Sequence, residues 1–244
     1  MTSVVISQPM YFPWPGFIEH MATADVFIWL DDAQFSKGSF TNRIQVKLDN
    51  GRKWMSVPLD GKGTMTPINK LAPSNQDWPA SHRAMLSQSF RAAPSKSLAL
   101  DIFDRAMSRS SLLDALIASA EEIAKVTGAL PDKILRSSDM GVDGDSWQRV
   151  LSLVKKVGGT RYITGHGAAR YLDHQHCENQ GVSVDYLDYS LTPWPQPFGD
   201  FTPYVTALDL IAATGSEART FLHPRTIPWR DFLSRSEAHD ESQD

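Results

Sequence analysis

Short apolar runs alternate with amphipathic stretches from the first residues of the chain. The β-branched run at residues 3–7 predicts a buried strand, and apolar residues recur at helical spacing from 15 to 24. Pro15 suits the first turn of that helix, because its missing N–H has no helical partner there. A second apolar run at residues 26–30 predicts another buried strand. This order of strand, helix and strand is typical of a parallel sheet.

The next segment changes from buried runs to alternation. Apolar and polar residues alternate from 44 to 48, Asn50-Gly51 supplies a turn suited to positive φ, and residues 54–57 form the returning arm. This pattern predicts a β-hairpin. Residues 60–79 contain glycines, prolines and scattered polar residues, which indicates a long loop of the kind that often binds a ligand.

A helical region then separates two α/β units. Helical periodicity from Ala80 to Gly128 includes a long apolar face that Ser110 and Ser111 can cap. Beyond it, strands at 134–135, 162–164 and 182–187 alternate with helices, the last of which runs to about Gln180. We therefore predict an α/β fold, Rossmann-like, whose parallel sheet is built from βαβ units of both chain halves and carries a β-hairpin and a helical insertion.

The predicted organisation has four parts. They are an N-terminal α/β unit with hairpin and loop at 1–79, the helical insertion at 80–130, a second α/β unit completing the same sheet at 131–235, and a disordered tail at 236–244. Within the third part, residues 189–204 hold too many prolines for regular structure. Thr206 then caps a short helix that ends at Gly215.

Composition narrows the class of protein. Of 244 residues, 41% are hydrophobic and 21% charged, as in ordinary globular proteins. No apolar run approaches the roughly 20 residues of a membrane span, and no signal peptide is visible, so we expect a cytoplasmic protein that does not bind membranes. The net charge of −4 argues against a broad nucleic-acid surface. The oligomeric state does not follow from the sequence.

The single cysteine limits metal and disulfide chemistry. Cys177 excludes an intrachain disulfide framework and a thiolate-rich zinc site. Its neighbours His174 and His176 give a His-x-His-Cys cluster, but residues one and two apart do not share a helix face. We therefore expect no metal site.

Polar residues crowd the points where the first two strands end. In parallel sheets ligands bind outside the carboxyl ends of the strands. Asp31 and Asp32 follow the second strand, and because adjacent residues point in opposite directions, at most one of them should face the pocket while the other caps a turn or pairs with Arg43. Lys37, Asn42 and Arg43 are suited to holding a carboxylate or phosphate. An ordinary surface ion-pair cluster is the alternative.

A second candidate lies at Gly165-His166-Gly167. Glycines between a strand and a helix let the backbone approach a ligand, and free amides at a helix start attract an anion. His166 can move a proton near neutral pH. A tight structural turn is the competing interpretation. We name Asp32, Lys37 and His166 as candidate catalytic residues, and Gly165 and Gly167 as candidate binding residues.

An ordered series of motifs runs through the first 60 residues: Gln8-Pro9-x-Tyr11-Phe12-Pro13-Trp14-x-Gly16, Ala24-Asp25-x-Phe27, Asp31-Asp32-x-Gln34-Phe35-x-Lys37, Asn42-Arg43 and Val57-Pro58. This series resembles the WbqC-like family of bacterial proteins. Members often occur in O-antigen and other surface-polysaccharide gene clusters, and the resemblance implies an activity such as glycine transfer in polysaccharide biosynthesis. It also implies that Asp32, Gln34, Lys37, Asn42 and Arg43 form a binding constellation. Gln8, Tyr11, Trp14 and, in a later aromatic loop, Tyr204 are further candidate binding residues.

Three functions stay open at this point. The first is a transferase that forms an amide or ester by moving an amino-acid or other acyl group onto a sugar or small metabolite. The second is an ATP-dependent ligase or nucleotidyltransferase, although the His-x-Gly-His signature of such folds does not occur at residues 11–16. The third is a non-catalytic glycan- or metabolite-binding protein. The sequence does not fix the cofactor: a nucleotide or an activated acyl donor fits, and an aminoacyl-tRNA donor stays open.

Overall fold

The structure of the protein, a computed structural model, describes residues 1–61, 65–189 and 192–240. Its strands are β1 (Ser3–Ser7), β2 (Val26–Trp29), β3 (Arg43–Leu48), β4 (Gly51–Ser56), β5 (Lys133–Arg136), β6 (Arg161–Thr164), β7 (Ser183–Leu187) and β8 (Thr226–Pro228). Six of them form one sheet in the order β5-β2-β1-β6-β7-β8. All pairs in it are parallel except β7–β8. The predicted Rossmann-like α/β fold, with a sheet shared by both halves of the chain, is confirmed.

Helices cover the sheet and extend the core beyond it. They are α1 (Pro15–Ala22), α2 (Trp78–Ser89), α3 (Lys96–Met107), α4 (Leu112–Thr127), α5 (Ser146–Lys156), α6 (His174–Asn179), α7 (Ala207–Thr214) and α8 (Trp229–Asp240). Short 3-10 helices lie at Ile68–Lys70, Ser137–Asp139, His166–Arg170 and Gly215–Phe221. In the part of the chain that the structure describes, no helix combines the length and apolar character needed to cross a bilayer.

Alternation along β1 divides the core into two layers. Val5 packs into the larger cluster with residues of α1, α3, α4 and α7, while Val4 and Ile6 face a second cluster with residues of α5 and α6. Because both faces of the sheet are covered, successive residues in the middle of β1 and β2 are apolar and buried rather than alternating with polar ones. The structure is therefore helix on sheet on helix.

The helical segment between the two α/β units packs against the sheet. Phe103 of α3 and Leu116 of α4 belong to the same buried cluster as Val5 of the central strand. As predicted, Ser111 caps α4 by accepting a hydrogen bond from the amide of Asp114, and Gly128 ends it in the left-handed conformation. The domain limits drawn from the sequence stay a prediction.

The predicted hairpin is confirmed as a separate two-stranded sheet of β3 and β4. Leu48 pairs with Gly51, so the two-residue turn is Asp49-Asn50 rather than Asn50-Gly51. The positive φ of +103° falls on Gly51, just after the turn. Glycine is favoured there because it has no Cβ to oppose that conformation.

Two predicted segments divide differently from the expectation. The helix expected to run to about Gln180 is a 3-10 helix at His166–Arg170 followed by α6, because Asp173 accepts a hydrogen bond from the amide of His176 and starts a new helix. The loop expected at 60–79 contains a 3-10 turn, and α2 begins within its last residues at Trp78; residues 62–64 of it lie outside the described residues.

The C-terminal part completes the fold. As predicted, Thr206 caps α7 through a hydrogen bond from the amide of Leu208. The expected irregular segment forms no helix or strand at 189 and 192–204, and residues 190–191 lie outside the described residues. Helix α8 continues to Asp240, into the predicted tail, and residues 241–244 also lie outside the described residues.

Candidate functional site

A cavity of about 850 Å³ opens at the carboxyl ends of β1 and β6. The next strand in the chain, β2, pairs with one edge of β1, whereas β6 pairs with the other edge of β1 and is followed by β7 farther out on that side. The two strands flanking this cavity therefore have connections that lead in opposite directions. This reversal in strand order is where open α/β sheets bind their ligands.

Three segments form most of the wall of this cavity, which we call the switch-point pocket. They are the loop after β1, the loop after β2 and the turn after β6. None of the described residues that line it is Asp, Glu, Lys or Arg, so its polar groups are hydroxyls, amides and imidazoles. The lining residues of these segments include Ser7, Gln8, Trp14, Ser36, Ser39, Phe40, Thr41, Thr164, Gly165, His166, Gly167 and Tyr171.

His166 lies on this wall with an accessible side chain. Its Nε2 lies 2.8 Å from the carbonyl oxygen of Leu187. A carbonyl oxygen can only accept, so Nε2 carries the proton and Nδ1 is left as an acceptor. The ring packs against Tyr189 and Phe232, with centroids 4.9 and 4.8 Å away. These contacts fix one tautomer and one orientation.

His20 is a second imidazole on the wall, which the sequence analysis did not select. It lies on α1 and is only 5% exposed, and its Nε2 donates to the carbonyl oxygen of Ile163 at 3.1 Å. Burial lowers the pKa of His20 to about 4, since a buried ring loses the hydration of its charged form. His20 is therefore neutral at pH 7. His20 follows Phe17 by three residues and so lies on the apolar face of the predicted helix. This position is the feature of the sequence that could have identified it.

The two glycines beside His166 have no internal reason to be glycine. Neither has a positive φ. A Cβ on Gly167 would meet nothing within 4 Å, and one on Gly165 would meet only the Tyr189 hydroxyl at 3.8 Å. By contrast, a Cβ on Gly16 would lie 2.4 Å from the Trp14 ring. Close approach of a ligand is the remaining reason for small residues at 165 and 167.

Aromatic rings border the pocket on one side. The ring of Trp14 lies 4.8 Å from that of Tyr189 and 6.3 Å from that of Tyr204, measured between centroids. Burial raises the pKa of Tyr189 to about 12, so its hydroxyl is protonated at neutral pH. Tyr204 is 55% exposed. Gln8, also named from the sequence, lines the pocket directly.

Tyr11 lies in the core, away from the pocket lining. Its side chain is fully buried, and its hydroxyl lies 2.8 Å from Nδ1 of His82. The ring packs edge-on against Phe12 and Trp78. Contact with a ligand in the pocket through this side chain would require the core to open.

Asp32 lies in a different cavity, of about 290 Å³, at the carboxyl ends of β2 and β5. Its carboxylate accepts hydrogen bonds from Arg149 at 2.5 Å and from Ser137 at 2.6 Å. Burial raises the pKa of Asp32, but these hydrogen bonds outweigh burial and hold the pKa below its ordinary value. Neighbouring Asp31 accepts from Ser137 and Ser138. Neither aspartate has the expected pairing with Arg43 among the described residues, because both are held by residues that follow β5.

The residues that the sequence suggests for holding a carboxylate or phosphate line a third cavity. Lys37, Asn42 and Arg43 surround about 280 Å³ on the far side of the loop whose Ser36, Ser39 and Thr41 line the switch-point pocket. Asn42 holds this loop to the hairpin by donating to the carbonyl oxygen of Val57 at 2.9 Å. Gln34 forms an isolated β-bridge with Pro67. The predicted constellation is thus divided among three neighbouring cavities.

The side chains of the His-x-His-Cys cluster contact different neighbours in the structure. His174 stacks on Trp229 and lies 2.6 Å from the Tyr186 hydroxyl, while the ring of His176 packs against Trp147. Within residues 1–61, 65–189 and 192–240, no group of three or more His, Cys, Asp or Glu side chains is arranged to hold a metal ion.

Comparison with known proteins places the chain in a family. The WbqC-like protein family matches residues 8–221. The chain is also 28% identical over 229 residues to a Mycobacterium tuberculosis protein named "uncharacterized protein Rv1507c", an alignment that covers 91% of this chain and 98% of the relative. No solved structure matches it. Since the family match covers most of the chain, including the hairpin, the chain belongs to the WbqC-like protein family.

Proposed function

We propose that the protein is a transferase that moves an acyl group, such as an aminoacyl group, onto a hydroxyl or amine of a sugar or small metabolite held in the switch-point pocket. The observation that carries this proposal is the geometry of His166. Its Nε2–H is tied to Leu187, and its Nδ1 remains a proton acceptor beside a pocket at the carboxyl ends of two parallel strands. A general base needs this combination of access and a fixed tautomer.

The lining of the pocket supports an uncharged acceptor. Hydroxyl and amide groups of Ser7, Gln8 and Thr164 can hydrogen-bond to sugar hydroxyls, and Trp14 offers an aromatic surface for a ring face. A charged acceptor would lose hydration in this lining without gaining an opposite charge. The volume of about 850 Å³ leaves room for an acceptor and part of a donor.

The proposed step balances as a simple acyl transfer. The acceptor hydroxyl or amine attacks the acyl carbonyl carbon of the donor, and His166 Nδ1 takes its proton. The bond from nitrogen or oxygen to carbon forms, and the bond to the leaving group breaks. His166 then returns the proton to the leaving group. The backbone amide of Gly167 is the candidate donor to the developing oxyanion.

The test combines binding with turnover. Purified protein is screened by thermal shift against nucleotides, nucleotide sugars, acyl-coenzyme A and free amino acids, because a ligand that binds the folded state raises the melting temperature. Stabilising pairs are then incubated together, and products are detected by mass spectrometry. We expect His166→Gln to bind the acceptor and lose turnover by about 100-fold or more. The control His176→Gln changes an exposed histidine outside the pocket and should keep full activity.

Two results would overturn the proposal. Equal turnover in wild type and His166→Gln would remove the base. Saturable sugar binding without any product from the tested donors would favour a glycan-binding protein, to which the aromatic border of Trp14 and Tyr204 is also suited.

A further inference from the structure

The outer face of the β3–β4 hairpin carries a compact set of cationic and aromatic side chains. Pairing of Arg43 with Ser56 and of Gln45 with Trp54 puts these residues and Arg52 on one face, opposite the buried Ile44, Val46 and Met55. Lys47, which pairs with Arg52, is covered on this face by residues 196–200 and is not part of the exposed surface. Lys37 and Phe40 lie on the loop that leads into this hairpin. We call Lys37, Phe40, Arg43, Arg52 and Trp54 the hairpin patch.

The positive charge of this patch is not neutralised within the described part of the chain. Lys37, Arg43 and Arg52 form no ion pair with a described acidic group, although the whole protein has a net charge of −4. The hairpin's own acidic residue, Asp49, is 3.6 Å from Arg91. Arginines elsewhere do find acidic partners: Arg83, Arg105, Arg136, Arg149, Arg161 and Arg230. The patch therefore presents a local charge of opposite sign to the molecule.

Its aromatic residues are exposed and held in place. Phe40 is 41% exposed and Trp54 is 42% exposed, with ring centroids 5.9 Å apart. The guanidinium carbon of Arg43 lies 4.3 Å from the centroid of the Trp54 ring. The backbone carbonyl of Phe40 accepts from the amide of Tyr11, which fixes the loop to the core. Because Arg43 covers one face of Trp54, a planar ligand would stack on the part of the two rings that is exposed.

The patch is continuous with the switch-point pocket. Phe40 belongs to both, because it lines the pocket and contacts Trp54 on the hairpin. A ligand crossing Phe40 would thus pass from a neutral hydroxyl-lined cavity to an aromatic and cationic surface. Such a ligand has an uncharged part joined to an anionic part with a flat ring.

We propose that the hairpin patch binds a nucleotide that forms part of the acyl donor. Guanidinium and ammonium groups of Arg43, Arg52 and Lys37 suit its phosphates, and the exposed faces of Phe40 and Trp54 suit its base. The reactive group attached to the nucleotide then reaches the pocket. This inference rests on the proposed transfer, for which it names the chemistry of the donor. A nucleotide-linked metabolite and the end of an RNA share this chemistry.

Isothermal titration with UDP, ADP, inorganic phosphate and a single-stranded RNA of 12 nucleotides tests the assignment. We expect a nucleotide probe to bind more tightly than phosphate and to weaken as salt rises. Trp54→Ala should weaken that binding about tenfold, by loss of stacking. The double variant Lys37→Gln/Arg52→Gln should weaken it by a similar factor, whereas Lys155→Gln, an exposed lysine on α5, should leave it unchanged.

Each outcome decides between the alternatives. Binding of UDP or ADP with an affinity similar to that of RNA assigns the patch to a nucleotide-linked metabolite; much tighter RNA binding assigns it to an RNA-linked donor. Absence of binding by all nucleotide probes, or equal affinity in Trp54→Ala, overturns the inference. Sugar-induced thermal stabilisation and its dependence on pocket residues are measured separately. Their persistence alongside failed nucleotide binding would reject the donor assignment while leaving the pocket proposal intact.

Discussion

The Tyr11 hydroxyl lies 2.8 Å from Nδ1 of His82, which joins the loop after β1 to helix α2 inside the core. Burial lowers the pKa of His82 to about 4, while a hydrogen bond with the backbone of Ser56 partly opposes that shift. The neutral ring can then accept from the Tyr11 hydroxyl through Nδ1 and donate through Nε2. An aromatic motif named for ligand binding thus contributes a buried hydrogen bond.

Tyr11→Phe tests this structural role. Removing the hydroxyl leaves the buried Nδ1 of His82 without its donor, so we expect a loss of about 1–3 kcal/mol in unfolding free energy, measured by urea denaturation. Ligand-induced stabilisation by pocket ligands should be retained. Loss of that stabilisation with an unchanged urea midpoint would instead support the binding role predicted from the sequence.

The two buried histidines predict how stability depends on pH. His20 and His82 both have a folded-state pKa of about 4, whereas an unfolded histidine titrates near about 6.5. As pH falls from about 6.5 to 4, the unfolded state binds protons first, so each histidine lowers stability by up to about 1.4 kcal/mol per pH unit. Above that window the effect is absent. Urea unfolding of His20→Gln should show a shallower pH dependence than wild type; an identical slope would contradict the assignment.

The glycines give a matched pair of variants. A Cβ at Gly16 would meet Trp14 at 2.4 Å, so Gly16→Ala should cost about 1–3 kcal/mol of stability through overpacking. A Cβ at Gly167 meets nothing within 4 Å, so Gly167→Ala should leave stability within about 0.5 kcal/mol of wild type. We expect Gly167→Ala to weaken ligand binding at unchanged stability, whereas Gly16→Ala displaces the Trp14 and Tyr189 rings of the pocket and should lower both stability and affinity. Unchanged affinity in Gly167→Ala would leave that glycine without a binding role.

Kinetic measurements can distinguish the roles of Asp32 and Lys37 from the role of His166. Asp32→Asn weakens the contact with Arg149, and Lys37→Gln removes a charge from the third cavity, but neither residue lines the switch-point pocket. We expect both variants to keep acceptor binding, whereas only loss of His166 removes the base. A drop in turnover of Asp32→Asn equal to that of His166→Gln, at unchanged melting temperature, would restore Asp32 as a catalytic candidate.

We expect the buried side chain of Lys47 to stabilise the proline-rich segment at residues 192–204. Lys47 is 4% exposed, and its Nζ donates to Gln196 and to the backbone carbonyls of Gly199 and Asp200. Lys47→Met would remove the Lys47 donor from the Gly199 and Asp200 carbonyls, whereas Gln196 keeps its bond from the Thr202 amide. This loss should cost about 1–3 kcal/mol and increase proteolysis of the segment. Lys155→Met, on the surface, is the control. Equal protease resistance in the two variants would show that other contacts hold the segment.

The sequence predicted the helices and strands better than the contacts between residues that are distant in the chain. The apolar runs at residues 4–6 and 26–30 are sufficient to identify central strands, and Pro15 marks the start of α1. The contact between Asp32 and Arg149 joins positions 117 residues apart, and local periodicity carries no information about such a pair. The three-residue strand β8 escaped notice because it is too short to show a pattern.

The same difference between local patterns and long-range contacts applies to the candidate site. Gly165, His166, Gly167 and Gln8 were named from local signals, and the structure brings them to one pocket. Lys37 and Arg43 were also named from the sequence, but they line a separate cavity. His20 and Tyr189 were missed because each resembles an ordinary buried residue until the sheet order places it at the switch point.

The hairpin patch gives an acidic protein an uneven electric field. The net charge of −4 disfavours the approach of anions on average, but they are attracted to Lys37, Arg43 and Arg52 of the hairpin patch, which shares Phe40 with the pocket. A diffusing phosphate-bearing molecule would therefore be oriented before contact, with its charged end toward the hairpin and its neutral end toward His166. Encounter rates governed in this way fall steeply with ionic strength, whereas the intrinsic rate of the chemical step does not.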